Sequence, residues 1–399
     1  MKVLSSIPIL AILLSINACS NQESANPEIP IIEIGDLWNS ETYLKLSEVA
    51  ESIEYIALEK TDNCILPGEN QLSCIIIGDF ILVRPYKNPI LVFNHDGKYQ
   101  FTLGKKGKGP GDYISGKIQY DEINEVFWIL DGVLKKLLKF NNKGKLIDEL
   151  KIEDGISNYC LLDTSLYLLK FIYENNGIDS EVLKLNTEGT ICKRIPLYGE
   201  REPGVGDFSA IMNFFGISNG KLCFNEPPFR HGYVLNENDQ WEETWTLNQG
   251  DQAVKSEDYY PSSSTKGEVW NKTAIMQMIE TPNFIFMGGM SNRDSKAFVF
   301  NKSTNTTKAN HIFAETKNTR DMHGLFNDFD GGLPFWPGGS AGNNTYVQIN
   351  DASRYIDLNL GFLKYYNVND AVPVSPKLKA FCETLEEEDN PVVMVVKLK

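Results

Sequence analysis

Asp328 and Asp330 stand one residue apart and are followed by Gly331. This is the opening rhythm of a calcium loop, in which alternate carboxylates offer oxygens to one hard cation and glycine allows the sharp turn. The glutamate that closes an EF-hand is missing, and the flanking Phe335 and Trp336 give the pair a second reading: carboxylates capping turns while aromatic rings pin a long loop. Asp328 and Asp330 are thus the candidate metal ligands, with calcium the fitting divalent ion, against a first expectation of no cofactor. A second candidate is Gly104–Gly111, where Lys105, Lys106 and Lys108 alternate with glycines. Backbone amides and ammonium groups could cradle an anion there. A phosphate loop needs a helix start behind it, whereas Tyr113-Ile114-Ser115-Gly116 leads toward another strand. A tight crossing between neighbouring sheets is therefore the stronger expectation.

Arg230, His231, Trp270, Arg320, His323 and Trp336 lie in or near the longest irregular stretches, Tyr198–Met212, Leu247–Ile275 and His311–Asn343. Aromatic faces flanked by charged and polar groups are what a sugar or peptide binder uses, so these six are the candidate ligand contacts. The competing reading makes the rings anchors of their own loops. The 4 histidines have no metal or nucleophile partner at sequence spacing, and no H-E-x-x-H or C-x-x-C pattern occurs. Binding is favoured over catalysis. The alternative is a metal-dependent lyase or hydrolase with its site at a central channel.

These residues need a scaffold, and composition bounds it. With 399 residues, 42% of them hydrophobic, the chain can bury a large core, which excludes disorder. A net charge of −15 excludes a partner gripped through its phosphate backbone, so nucleic acid is not expected. The N-terminus carries an address. An apolar run from Ile7 to Ile16 has the length of a signal-peptide core and is too short to span a bilayer. It ends in Ile16-Asn17-Ala18-Cys19, which resembles the bacterial lipobox. Residues 1–18 are then a lipoprotein signal peptide, Cys19 the lipid anchor, 19–36 a polar, proline-containing flexible tether, and 37–399 the folded domain. The resemblance implies a partner membrane reached through lipid and a place in the cell envelope, at the outer membrane. Of the six remaining cysteines, Cys74, Cys192 and Cys223 sit in strand-like runs and read as free thiols.

An apolar triplet ending in Asn recurs five times: Leu91–Asn94, Leu138–Asn141, Leu183–Asn186, Tyr233–Asn236 and Phe298–Asn301. Gly97, Gly144 and Gly189 follow the first three copies three residues later. Asn caps its own turn and Gly supplies positive φ, so each copy reads as a β-hairpin. With further β-rich runs upstream of each, the period matches a propeller blade. A sixth blade is expected from Ser52–Leu58, Thr345–Ile349 and Val392–Leu398, so that strands from both chain ends close the ring. The fold class is all-β, a six-bladed β-propeller of four-stranded blades. Leu378, Phe381, Cys382 and Leu385 mark a short amphipathic helix over Lys377–Glu388, and Leu46–Glu51 a second.

Phe93-Asn94-His95-Asp96-Gly97-Lys98, running on through Leu103–Tyr113, resembles the NHL repeat. Phe326–Pro337, the ending Glu388–Lys399 and Ser47–Ile56 near the start are similar to the six-bladed propeller lipoproteins of Bacteroidota. Asn236 and Asn301 depart from the pattern, with Asp239 and Thr304 where Gly stands in earlier copies. The resemblance implies a cell-surface binding or accessory protein whose partner is a glycan, a peptide or an envelope protein, met on a loop-rich rim.

Overall fold

The computed structural model describes residues 29–40, 42, 44–174, 177–186, 188–197, 214–225, 230–254, 272–291, 294–311, 324–342, 344–360 and 372–399. They form six four-stranded antiparallel blades. Blade 1 uses Leu72–Ile77, Phe80–Pro85, Ile90–Asn94 and Tyr99–Leu103. Blades 2 to 5 repeat that order from Lys117, Ile156, Phe214 and Ala274.

Blade 6 closes the ring as the sequence predicts. Gly339–Ser340, Thr345–Asn350 and Val392–Leu398 supply its three inner strands, and Ala50–Ala57, from the other end of the chain, its outermost. The two end strands pair antiparallel from Ala50 opposite Leu398 to Ala57 opposite Val392. This pairing leaves no seam with free backbone groups.

The Asn positions are explained atom by atom. Asn94 Oδ1 accepts the backbone N–H of Asp96 at 3.1 Å and of Lys98 at 2.8 Å. Asn141, Asn186 and Asn236 make the same pair of bonds, and Asn301 holds Ser303 and Thr304. Where glycine is lacking, Asp239 (φ 55°) takes the left-handed position that Gly97 (φ 75°) takes in blade 1, and in blade 5 the left-handed residue is Asn305 (φ 52°), one place after Thr304. Asp and Asn are the non-glycine residues that best tolerate it.

The apolar triplets are continuous because each blade is covered on both faces. Leu91 and Phe93 pack toward blade 6, while Ile90 and Val92 of the same strand pack toward blade 2. One apolar cluster fills each of the six blade interfaces.

Two boundaries differ from expectation. Ile31–Glu33, inside the segment read as tether, pairs in parallel with Thr246–Asn248 as a fifth strand on blade 4, and Ile32 and Ile34 are fully buried. Burying two isoleucines and capping an outer edge holds this stretch on the ring, so the folded part begins by residue 31 and not at 37. The helix expected over Lys377–Glu388 spans Pro376–Cys382, capped by Ser375 Oγ accepting Leu378 N. Residues beyond it turn instead, with Asp389 accepting Glu386 N. A further helix, Ala352–Asn359, was not anticipated; it packs Tyr355 and Leu358 with Leu378 and Cys382 beside blade 6. Cys64, Cys74, Cys160, Cys192, Cys223 and Cys382 are free, as read from sequence.

Candidate functional site

Strand alternation sorts the connections. Within each blade the first-to-second and third-to-fourth turns share one face, and they are short, as at Gly78-Asp79 and His95–Lys98. The second-to-third turns and the links between successive blades emerge on the other face, whereas residues 34–49, which join Ile31–Glu33 to Ala50–Ala57, run from that face to the tight-turn one. The strand ends flanking residues 198–213, 249–273 and 312–338 all lie there, as do those flanking 351–391, which carries both C-terminal helices. One face is therefore loop-rich, the other tight-turned.

On the loop-rich side, three cations converge between blades 1, 2 and 3. Asp131, fully buried at the end of the second strand of blade 2, organises them. Its Oδ2 accepts Ile114 N at 2.6 Å and Ser115 N at 3.2 Å, and its Oδ1 accepts Val133 N and Leu134 N. This fixes the end of the blade 1 to blade 2 link with its carbonyls turned to cations. Lys106 Nζ donates to Ile114 O at 2.8 Å and lies 4.9 Å from the Tyr113 ring centroid. Arg84 donates through Nη1 to Gly116 O at 2.8 Å and through Nε to Ser73 Oγ at 3.0 Å. Lys117 Nζ reaches the Ser157 carbonyl of blade 3 at 2.8 Å. Lys117 is open to water, and the desolvation of its ammonium by the surrounding strand ends lowers it to about 8, with the Arg84 charge acting in the same direction. Burial also lowers Arg84 and Lys106, and each feels the other's charge or that of a neighbour.

The glycine-lysine link itself is the tight crossing expected. Lys105-Lys106 pairs in parallel with Asp112-Tyr113, no helix follows, and Gly104 (φ 65°) passes so close to Tyr113 that a Cβ would meet its ring at 2.9 Å. Sequence flagged Lys106 in that loop but missed Arg84, Lys117 and Asp131. Their neighbours read as ordinary strand ends, and only the meeting of three blades brings them together.

Asp328 and Asp330 serve separate donors. Asp328 accepts the Ser47 N–H at 2.9 Å and the Ser47 hydroxyl at 2.5 Å, capping the short helix Leu46–Val49. Asp330 Oδ1 accepts Tyr55 Oη at 3.1 Å, Asn327 Nδ2 at 2.8 Å and Gly332 N at 3.1 Å. Burial raises the Asp330 carboxyl above its ordinary range, against the lowering pull of these bonds. No group of three or more His, Cys, Asp or Glu side chains able to hold a metal occurs among the described residues. The geometry is that of turn caps latching a loop.

Trp336 is 8% exposed and edge-on to Phe286, with ring centroids 5.5 Å apart. It anchors its loop between blades 5 and 6 and lines one wall of a crevice of about 150 Å³ with Gln277, Gly289 and Met290. Arg230 is exposed before the third strand of blade 4. His231 follows it, its Nδ1 2.8 Å from Glu243 Oε1. Trp270, Arg320, His323 and Cys19 lie outside the described residues. A larger crevice of about 340 Å³ opens on the tight-turn face between blades 4 and 5, lined by Ser218, Trp245 and the ion pair of Lys302 with Glu280 at 2.7 Å.

The model of a domain of unknown function, DUF4934, matches residues 29–397. The chain belongs to the DUF4934 family. The DUF4934 fold is similar to the crystal structure of a Bacteroides fragilis NCTC 9343 protein named as a candidate for export, with a TM-score of 0.67 and 14% identity, covering 93% of this chain and 99% of that one. A DUF4221 family member from Bacteroides vulgatus ATCC 8482 aligns at 0.48 and 10% identity over 90% and 99%. The first of these likenesses bears on fold alone. No curated protein matches the chain.

Proposed function

We propose that this DUF4934 propeller is an exported cell-envelope lipoprotein that binds a glycan, a peptide or a partner protein on its loop-rich face without transforming it. The gathering on one face of the long connections between successive blades, with that carrying the C-terminal helices, carries the reading, because a rigid ring that displays its loops together is a common design for recognition. The address rests on the lipobox-like Ile16–Cys19, on the apolar run before it, and on the name of the Bacteroides fragilis fold relative. Residues 1–18 are removed, Cys19 is acylated, and residues 19–30 tether the ring to the outer membrane. The turns built on Asn94, Asn141 and Asn186 support an NHL-like origin for the blades.

Panels of glycans and peptides presented to the full-length protein test the binding claim, and recovery of the bound ligand chemically unchanged tests the absence of turnover. A processed ligand would overturn the reading. Mass spectrometry of the N-terminal peptide tests the anchor: a lipid-modified Cys19 is expected, and Cys19→Ser releases the protein from membranes.

A further inference from the structure

Arg84, Lys106 and Lys117 form an unusual group in a chain of net charge −15. Several other enclosed cations among the described residues are paired: Lys170 with Glu153 and Glu181, Lys136 with Glu149, Lys302 with Glu280, Arg354 with Glu69. None of the three forms an ion pair among the described residues; Asp131, whose charge acts on Lys106, has both oxygens engaged by backbone N–H groups. Each ammonium uses one donor on a carbonyl and the guanidinium uses two of its N–H groups, so donors remain to spare at one place. The hydroxyl of Ser157, whose carbonyl holds Lys117, is enclosed and has no hydrogen-bond partner among the described residues. Crowding like charges costs free energy unless something of opposite sign arrives.

We propose that Arg84, Lys106 and Lys117 are the seat for one oxyanion, a carboxylate or phosphate, carried by the ligand of the loop-rich face; this rests on the binding reading above and narrows its ligand to an acidic one. The guanidinium supplies a planar fork, the two ammonium groups supply point charges, and Ser157 Oγ supplies a neutral donor. Binding weakens as pH rises, because Lys117 and Lys106 lose charge. Arg84 stays cationic, and Tyr159 and Cys160, which face Lys117, stay neutral because burial raises both.

Calorimetric titration of the full-length protein with D-galacturonate and with inorganic phosphate, each at low ionic strength, is the test, with neutral D-galactose as control. Saturable binding of either anion at pH 7 is expected, weaker at pH 9.5. Arg84→Met and Lys117→Met should each weaken it by about tenfold or more, while Lys143→Met, in a tight turn of the opposite face, leaves it unchanged. Thermal melts check folding; should Arg84→Met not fold, Lys117→Met decides. Failure of both anions to bind, or binding that both variants retain, overturns the seat. A neutral glycan bound on the same face without regard to Arg84 or Lys117 also overturns it, while leaving the binding face intact.

Discussion

Ile53, in the first strand of the ring, lies directly opposite Val396 in the last, and both pack into the cluster between blades 5 and 6. The two chain ends thus share one sheet, and the ring holds only while they pair. Met394, fully buried and opposite Tyr55, reports on this closure. Met394→Ala is expected to cost about 2–5 kcal/mol, read as a lower denaturant midpoint. Deleting 392–398 should abolish the cooperative transition, because it strips both neighbouring strands of their partner. A truncated chain that still unfolds cooperatively would count against closure by these strands.

Asp330 separates a latch from a calcium ligand. Its Oδ1 accepts three donors, and an amide oxygen can do the same. Asp330→Asn should therefore keep stability near that of the parent, whereas Asp330→Ala leaves buried donors unmatched and costs about 1–3 kcal/mol. Because burial raises the Asp330 carboxyl, its ionised form is disfavoured in the fold, and the parent should gain stability relative to Asp330→Asn as pH falls through the raised folded value. Calcium-dependent melting of the parent, lost in Asp330→Asn, would contradict the latch.

Lys117 should be a stability cost at neutral pH. Its folded value near 8 lies below the ordinary 10.5, so the unfolded chain holds more protons between the two and stability rises with pH across that window. Lys117→Met is expected to melt higher than the parent at pH 7, with the gap closing toward pH 10. A variant that melts lower at pH 7 would show that the Ser157 contact outweighs the desolvated charge.

Cys192 is the exposed member of the six described cysteines, and the other five are buried. Burial pushes the thiols of Cys74, Cys160 and Cys223 up to about 12. A thiol reagent at pH 8 should react quickly with one described cysteine in the native protein and with the rest only on unfolding. Cys192→Ser removes the fast phase; a second fast thiol in that variant would contradict the burial pattern.

How much of this was legible depended on how local the physics was. Leu91-Val92-Phe93-Asn94 announced a blade because both faces of its strand are covered and because the Asn side chain bonds to its own turn. Closure by Val392–Leu398 was legible because five complete repeats left a blade to be assembled from the ends. Ile31–Glu33 was misread as tether, since its partner Thr246–Asn248 lies over 200 residues away and a three-residue strand carries no periodicity. Trp336 could be a platform or an anchor by sequence; the neighbouring Phe286, from another blade, makes it an anchor. Arg84 and Lys117 carried no signal at all, since convergence of strand ends from separate blades is a property of the ring.

The central claim is that the loop-rich face is the recognition face, and the tight-turn crevice between blades 4 and 5 is its rival. Hydrogen exchange of the full-length protein with and without a ligand selected from the panels decides between them. The account predicts protection at residues 104–117, at 152–157 and in the links flanking the C-terminal helices, with the ligand recovered intact. Protection centred on Ser218–Cys223 and Glu280–Lys302 instead, or release of a chemically altered ligand, would contradict it.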